Sequence, residues 1–598
     1  MDIELQRKVN EAMKELNRLA VENIDYQHLD PIARMMVVAL LHETQKIEDE
    51  LQQLADKITE RFCDQFIPRR KLLAMPAVAV VAPMSNSTRV RSTVEVNAGA
   101  SFSYKTPDSK SPLNFLPIFK GNIIPCECLV VVTPHQVCIE DERSNIYGIP
   151  TNHLWVGIKP TFDIDTLTNF SFMVKGLNGI LPERIRLVAG QTRELNYATI
   201  DHMEDIEMLE PFDSQQSSET FFSILQHWKE QLTEMTDLDL YYISENQLNR
   251  DAFKTRNHPQ ELQEGIEHHT LEHIPHDTIW LEMEFADDVV VPDGCTALIN
   301  AIPVVNVDVN QVSLTQTTPI AKLQKGEDSF FLQLLETSNY AHRQGFNMQE
   351  DEVIVRDFDA VCYHDGHLFR EVRNLYNRFI EDYYAFIDYN AIKDGETIKT
   401  LRQLINRIGK SVGTINQKDK YDSGVYVMKN INQQQNTTST SVAFLTTQGE
   451  QGNLPQEHQF MENKKVAALG KEVEIVVTAL GGCDKASHDQ RYELLNYYAL
   501  TNDRLYTRMD IEAFLRKELI GVYGQEEFRR IDIHTSIEGA MGQRGLQRGL
   551  YVDIKFKDYF NYEKATRLQL GHILQCRIRN KSCIGMPIHV SLKNLDER

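Results

Sequence analysis

The change from helical to strand-like sequence between Asp30 and Gly99 is the feature that most constrains the fold of this chain. Asp30 followed by Pro31 is typical of a helix start, because the aspartate accepts a free backbone N–H and the proline has none to leave unpaired. Pro68 and Pro76 end the helical pattern, and the apolar run after them predicts a buried strand. A helix over 31–62 would be about 45 Å long at a rise of about 1.5 Å per residue. The small core of one domain is too short to cover it, so we expect it to pack against other helices.

Two predicted helical stretches carry an apolar face. Apolar side chains recur at steps of three and four in both, which places them on one side of a helix. An amphipathic helix usually buries such a face within its own chain, which favours a two-helix core for the second stretch over an exposed docking face. We nevertheless predict that both faces include positions that contact a partner. These positions are Leu40, Ile47, Leu51, Leu54, Ile58 and Phe62 in the first stretch, and Leu368, Val372, Leu375, Phe379 and Tyr383 in the second.

The pattern along the chain predicts an α+β multidomain protein. A chain of 598 residues is long enough for several domains, since single cores rarely exceed about 250–300 residues. Five segments are expected: an N-terminal helical bundle arm (1–72), a β-rich body (73–325) with a polar insertion near 213–276, an α-helical pair region (326–412), a polar loop or linker (413–465), and a C-terminal α+β domain (466–598). In the last segment a strand at Val473–Leu480 precedes the order helix, strand, strand, helix, strand, which predicts a ferredoxin-like sandwich.

The charge and the cysteine pattern limit the partners and the compartment. A formal charge of -23 argues against nonspecific nucleic-acid binding and against docking on anionic lipid, because both require a cationic surface. The longest apolar run, Met35–Leu41, is far short of the roughly 20 residues that cross a bilayer, so no direct membrane insertion is expected. Nine cysteines, mostly scattered singly, fit a reducing compartment. We therefore expect a cytoplasmic protein.

A histidine-rich tract offers the one catalytic motif of note. His269, Glu272 and His273 match an H-x-x-E-H spacing, in which two histidines on a helix bind zinc beside a general-base glutamate. Pro275 follows two residues later and Pro259 lies upstream, which leaves little room for a stable helix. A surface loop with adventitious metal binding is therefore favoured over a zinc hydrolase.

The remaining small motifs favour packing over chemistry. Cys126 and Cys128 lack a second cysteine pair, and strand alternation places both thiols on one face as small core residues. The glycines and arginines over 542–549 lie between two predicted strands, which favours a hairpin loop over a phosphate cradle. The sequence thus indicates no enzyme, and no residue is nominated as catalytic, cofactor-binding or metal-binding.

Several segments, taken in order, resemble one family. The Asp30–Phe62 helix followed by Ala74-Met75-Pro76-Ala77-Val78-Ala79, the segment Val94–Gly99, and Asn300-Ala301-Ile302-Pro303-Val304-Val305-Asn306 are similar to the TssF family of type VI secretion baseplate subunits. Leu480-Gly481-Gly482-Cys483-Asp484, then Arg504 and Thr507–Phe514, resemble the Gly-Gly-x-Asp…Arg…Thr-x-x-Asp pattern of phage baseplate J-like proteins.

The resemblance implies a structural role. It implies a baseplate wedge subunit that assembles with a TssG-like subunit and a second copy of itself, and that links TssK-like and TssE-like components, the spike and the sheath. Interfaces of this obligate kind often bury more than roughly 2,000 Å². Two alternatives remain open: a wedge protein of a phage-tail-like particle, and a zinc-dependent hydrolase built on His269, Glu272 and His273. Genes for a membrane complex beside this one would favour secretion, and capsid genes a phage.

Overall fold

The structure of the protein is a computed structural model. The described residues are 30, 32, 36, 40, 62–63, 65–68, 71–83, 90–97, 100–105, 112–139, 142–164, 166–177, 180–189, 191–199, 226–227, 230–231, 238–243, 258–315, 317–324, 328–339, 353–358, 400, 403–407, 424–429, 439–486, 488–523, 528–539, 546–556, 564–583 and 586–594. They fall into two compact units, a larger unit (Leu73–Lys485) and a terminal unit (Met1–Leu72 with Ala486–Arg598). None of the described helices combines the length and apolarity needed to span a bilayer.

A closed six-stranded barrel lies in the larger unit. Its strands, in the order in which they pair, are β1 (Val78–Ala82), β17 (Ile302–Val305), β4 (Leu113–Pro117), β3 (Phe102–Tyr104), β24 (Phe460–Asn463) and β25 (Glu472–Leu480). The predicted apolar strand is confirmed as β1, and its alternate residues enter two different cores: Ala79 and Val81 enter one, Val78 and Val80 the other. A strand buried on both faces needs a continuous apolar sequence, which explains the run. A two-stranded ribbon accompanies the barrel, formed by β2 (Val94–Val96) and β5 (Gly121–Ile123).

Two antiparallel sheets of the same unit share one apolar core. The seven-stranded sheet consists, in order, of β12 (Gln191–Leu195), β11 (Arg184–Ala189), β15 (Ile279–Glu284), β9 (His153–Pro160), β6 (Cys126–Val132), β7 (Gln136–Ile139) and β8 (Glu142–Asn145). The four-stranded sheet consists of β13 (Tyr197–Thr199), β14 (Leu238–Ile243), β10 (Phe170–Lys175) and β16 (Thr296–Ile299). Leu154 and Val156 of β9 meet Phe170 and Phe172 of β10 in that core. The opposite face of the larger sheet carries Trp155 and Trp280, covered by two short helices, α1 (Gln260–Gly265) and α2 (His268–Leu271).

Two three-stranded sheets correct the expected linker. The first is β18 (Asp308–Thr315), β23 (Ser439–Thr447) and β20 (Phe330–Asn339); the second is β19 (Ile320–Lys322), β22 (Gly424–Lys429) and β21 (Val353–Phe358). Strands β22 and β23 lie inside 413–465, where polar composition predicts a loop or linker. The polar composition is accommodated because threonines take part in the sheet, and Thr446 is fully buried with its hydroxyl 2.7 Å from Asn310 Nδ2. Two 3-10 turns follow, at Gly449–Asn453 and Ala467–Leu469.

The described part of 326–412 also contains more strand than its sequence predicts. Strands β20 and β21 occupy the first half of that segment, and residues 403–407 are helical. The predicted contact positions Leu368, Val372, Leu375, Phe379 and Tyr383 lie outside the described residues, as do Ile47, Leu51, Leu54 and Ile58.

The terminal unit holds a helix pair, a hairpin and a β-α-β unit. Its elements are α3 (His488–Thr501), α4 (Arg508–Tyr523), β26 (Phe528–Gly539), β27 (Leu546–Phe556), α5 (Lys564–Lys581) and β28 (Ile588–Asn594). Strand β27 pairs antiparallel with β26 and parallel with β28. The elements match the predicted order, but the ferredoxin-like topology is wrong for the described residues. The predicted first strand, β25, pairs with β1 in the barrel, so no strand separates β27 from β28 as a split βαβ requires.

A buried charge network stabilises the terminal unit between α4 and α5. Glu518 on α4 contacts Arg577 on α5, and its other carboxylate oxygen lies 2.9 Å from Lys517 Nζ. The Lys517 ammonium also lies over the Tyr497 ring, 4.4 Å from its centroid. Burial by itself would raise the pKa of Glu518, but the two cations lower it well below its ordinary value. Glu518 therefore stays ionised, and each cation relies on it for neutralisation.

Candidate functional site

The family-like segment Asn300–Asn306 begins and ends with a buried asparagine. Asn306 is fully buried; its Nδ2 donates to Asn114 O at 2.9 Å, and its Oδ1 accepts from Thr447 Oγ1 and from Gln448 N, both at 3.2 Å. Its backbone N–H donates to Ala77 O at 2.8 Å. The Asn306 side chain, at the end of β17, is thus hydrogen-bonded both to β4 and to the end of β23. An asparagine suits this position because it both donates and accepts within one short side chain.

Asn300 performs the same task at the other end of the segment. Its backbone has φ 55°, a left-handed conformation that asparagine tolerates better than most residues. Its Oδ1 accepts from Ile124 N at 2.9 Å, and its Nδ2 donates to Ile124 O at 2.8 Å. The side chain therefore replaces a missing backbone partner beside β6. The motif is explained by backbone satisfaction rather than by ligand chemistry.

A cleft beside Asn300 contains the Cys126-Glu127-Cys128 sequence. Both cysteine side chains line it and both belong to the sandwich side of β6, as alternation predicts. Burial, reinforced by neighbouring thiols, raises the pKa of Cys126 and raises that of Cys128 to about 12. Neither thiol is a nucleophile at neutral pH, because the thiolate is the reactive form.

The Gly481-Gly482-Cys483-Asp484 segment forms a tight junction in the larger unit. Gly481 has φ 83°, and a Cβ there would lie 2.4 Å from the side chain of Gln231. A Cβ on Gly482 would lie 2.3 Å from Gly449 O, a backbone atom with little freedom to move. Only glycine allows both the positive φ and the close approach.

Polar contacts complete the junction. Asn453 donates to Gly482 O at 2.7 Å and accepts from Gly482 N at 2.8 Å, while Asp484 Oδ1 accepts from Glu450 N at 2.9 Å. Cys483 exchanges backbone hydrogen bonds with Met75, just before β1. The Gly-Gly-x-Asp part of the pattern therefore joins β25, β1 and the 449–453 turn.

The Thr-x-x-Asp part of the pattern is a helix cap in the terminal unit. Thr507 Oγ1 accepts from Asp510 N at 3.2 Å, and Asp510 Oδ2 accepts from Thr507 N at 2.8 Å and from Tyr506 N at 2.9 Å. This reciprocal arrangement is a capping box at the start of α4. Burial by itself would raise the pKa of Asp510, but the hydrogen bonds from Thr507 and Tyr506 lower it. The pattern is thus divided between two compact units.

The histidine tract does not assemble a three-ligand site. Helix α2 ends at Leu271, so Glu272 and His273 lie in the turn that follows. The His269 and His273 rings are 4.9 Å apart between centroids, and His273 Nδ1 lies 2.8 Å from His269 O. Among the described residues, the ligand atoms of His269, Glu272 and His273 do not converge within 4.8 Å. The exposed location fits the surface loop that the prolines predict.

A different group of ionisable side chains leaves no pattern in the sequence. His153 on β9, Glu282 on β15 and Glu261 on α1 bring one possible ligand atom each within 4.8 Å of one another. His153 Nδ1 lies 2.8 Å from Glu282 Oε1. The hydrogen bond to Glu282 raises the pKa of His153, and burial opposes that rise. No short motif marks this group, because sheet pairing brings together residues 129 positions apart.

Apolar side chains of the predicted first helix are exposed where they are described. Ile32, Met36 and Leu40 are helical, follow each other at steps of four, and are 65%, 64% and 68% exposed. Phe62, one of the predicted contact positions, is 46% exposed and its ring lies 6.1 Å from that of Phe66. Three large apolar groups on one helical face form a surface that a partner protein can bury.

Together these sites define a class of protein. The chain is a β-rich, multi-sheet protein in which the recognisable motifs fix turns, caps and strand ends. Ile32, Met36 and Leu40 form an exposed apolar face among the described residues.

Two solved structures are similar to this chain over nearly all of its length. One is a structure of the type VI secretion system TssK-TssF-TssG baseplate subcomplex determined by cryo-electron microscopy; it is 12% identical, the match covers 94% of this chain and 95% of that chain, and the TM-score is 0.40. The other is the baseplate complex from the type VI secretion system, 11% identical over 99% of this chain and 95% of that chain, with a TM-score of 0.32. No protein-family model and no curated protein matches the sequence. Both similar structures are type VI secretion baseplate assemblies.

Proposed function

We propose that this chain is a structural subunit of a contractile secretion baseplate, similar to TssF, and that it assembles with a TssG-like subunit. The observation that carries the proposal is the spatial convergence of three family-like segments that lie far apart in the sequence. Residues 74–79 and 300–306 resemble the TssF family, residues 480–484 resemble phage baseplate J-like proteins, and all three meet in the barrel.

The strand registers make the convergence specific. Val78 of β1 is paired with Val305 of β17 on one side and with Leu480 of β25 on the other. Asn306 N donates to Ala77 O, and Cys483 pairs with Met75 at the preceding bridge. Chance matches spread over some 400 residues would not be expected to become neighbours with shared hydrogen bonds. The convergence therefore supports one inherited fold, of which the three segments are the signature.

The exposed helical face supports a role in assembly. Ile32, Met36 and Leu40 present apolar side chains that are each more than three-fifths exposed. Burial of a side chain of this size contributes about 1.5–3 kcal/mol. A partner helix that covers the face would gain this free energy, and Ile47, Leu51, Leu54, Ile58 and Phe62 would extend the contact along the same predicted helix.

Co-expression tests the proposal. The full chain is produced with a TssG-like subunit, and native mass spectrometry measures the composition of the purified complex. We expect two copies of this chain for each TssG-like subunit. The double variant M36E/L40E should lose the complex, because two charges would be placed in an apolar contact.

The control variant is V290E, since Val290 is 59% exposed outside the helices and strands of the larger unit. It should assemble as the wild type does. Absence of any complex with the wild-type chain would refute the proposed function, whereas full assembly of M36E/L40E would refute the assignment of the interface to this helix.

A further inference from the structure

A compact donor set lies on the outer face of the seven-stranded sheet. His153 is the first residue of β9, Glu282 lies in β15, and both face the same side of the sheet as Trp155 and Trp280. Helix α1 covers this side through Leu262, which is fully buried, and its neighbour Glu261 reaches the edge of the cluster. Three different elements thus contribute one side chain each.

The distances fit a common cation. One nitrogen of His153 and one carboxylate oxygen each from Glu261 and Glu282 lie within 4.8 Å of one another. Two ligands of one zinc ion at about 2.0–2.2 Å lie at most about 4.4 Å apart, so the donor spacing here is close to that of a zinc site. The side chain of Glu282 is 4% exposed and that of His153 is 13% exposed, so protein already surrounds two of the three donors.

The charge around the donors is also unbalanced. Glu261, Glu282 and Glu284 all act on His153 electrostatically. One guanidinium opposes them: Arg186 contacts Glu284, and its Nε lies 3.4 Å from Glu282 Oε2. With His153 protonated, three carboxylates face two cations and the group keeps one net negative charge; a divalent cation that displaces the imidazole proton would bring the net charge of the group to zero. A buried carboxylate without such neutralisation is costly.

We propose that His153, Glu261 and Glu282 bind a zinc ion that fastens α1 to the seven-stranded sheet. An imidazole nitrogen with two carboxylate oxygens is a donor set that zinc accepts, and solvent supplies the fourth position in zinc sites with three protein ligands. The ion would link the polar insertion near 213–276, through α1, to the sheet. It is separate from the His269 tract, where two histidines of one short segment face solvent.

Zinc titration of the full-length chain tests the site. The chain carries H269A/H273A, which removes adventitious binding by the tract, and is stripped with a chelator before titration against a chromophoric zinc chelator. We expect one equivalent of zinc. Adding E261Q should weaken the affinity at least about tenfold, since even indirect partners of metal ligands are worth that much. Glu261 is exposed, so its substitution should leave the fold intact.

The matched control is E264Q, on the same helix and one turn away, where Glu264 accepts from Gln260 Nε2 at 2.9 Å. It should bind zinc as the parent does, and a zinc concentration that saturates E264Q should raise its unfolding temperature more than that of E261Q. Absence of stoichiometric zinc in the parent, or equal affinity in E261Q and E264Q, would overturn the proposal. The measurement uses the chain alone, so its outcome is independent of the proposed baseplate role.

Discussion

Replacement of Asn306 tests whether the family-like segment is held by its side-chain hydrogen bonds. N306A removes one bond to Asn114 O and two to the 447–448 end of β23. The residue is fully buried, so water does not replace the lost partners. Only the backbone bond to Ala77 remains.

The expected loss of stability in N306A follows from the buried polar groups that lose a hydrogen-bond partner. A typical net contribution is about 1 kcal/mol for each hydrogen bond, and an unsatisfied buried group costs about 1–3 kcal/mol. The Asn114 carbonyl and the Gln448 N–H both lose a partner. We therefore expect N306A to lower the free energy of unfolding of the larger unit by about 3–4 kcal/mol, near the upper end for single substitutions.

N306D separates the loss of hydrogen bonds from the loss of volume. The substitution keeps the shape but places a carboxylate oxygen against Asn114 O, which has no proton to donate. At neutral pH we expect N306D to be less stable than N306A. Burial should raise the pKa of the introduced carboxyl, so stability should partly return as the pH falls through that pKa and the protonated group donates again.

Urea unfolding followed by tryptophan fluorescence measures both effects, because Trp155 and Trp280 are buried in the larger unit. The control is Q311A, in the β18–β23–β20 sheet rather than the barrel. It removes an exposed hydrogen bond between Gln311 and Ser441 of the same sheet, and it should change the free energy of unfolding by less than about 0.5 kcal/mol. If N306A unfolds within that margin of the wild type, the segment is not held by these bonds and our explanation of the motif is refuted.

Three further predictions concern the junction, the cap and the buried charges. G482A should destabilise the larger unit by about 1–3 kcal/mol in the same urea assay, because the added Cβ would lie 2.3 Å from a backbone oxygen; unchanged stability would contradict the close approach. T507A should cost about 1 kcal/mol, seen as faster hydrogen exchange in the first turn of α4. Asp510 has a lowered pKa, so its contribution to the cap is present at neutral pH and is lost as the pH falls below about 4; a cap insensitive to that range would count against the assignment. E518Q should cost about 3 kcal/mol in the thermal unfolding of the terminal unit, because it leaves a buried lysine and arginine without their carboxylate, and E512Q, at an exposed ion pair on the same helix, should cost little.

The sequence predicted individual elements better than their partners. Hydrophobic runs predicted β1 and β25 within a residue or two, because burial on one or both faces leaves a local signal. The sequence assigned β25 to the C-terminal domain, whereas it pairs with a strand that lies some 400 residues earlier. No local pattern encodes a partner at that distance. The expected linker was wrong in its extent: the sequence indicates a strand over Val442–Leu445, whereas β23 spans Ser439–Thr447, because the serines and threonines at its ends lower its hydropathy while Thr446 is hydrogen-bonded inside the sheet.

The candidate sites likewise divide into those with a local sequence pattern and those formed by pairing between distant strands. The capping box of Thr507 and Asp510 spans four residues, so its pattern is visible in sequence. The His153–Glu282 contact arises from pairing between two strands and has no counterpart in local spacing. The His269 tract, in contrast, matches a catalytic spacing but lacks the helix that would give the spacing its meaning.

The roles of the motifs change what the family resemblance implies. Each recognisable segment satisfies a demand of the backbone: the two asparagines replace missing hydrogen-bond partners, the glycines permit a close approach, and the threonine–aspartate pair caps a helix. Such demands are the same whatever the partner, so these residues can persist across a fold while partner surfaces diverge. The resemblance at these residues therefore bears on the fold, and we propose that exposed positions such as Met36 and Leu40 carry partner choice. A variant at Asn306 should accordingly impair assembly only as far as it unfolds the larger unit, whereas M36E/L40E should abolish assembly with a fully folded chain.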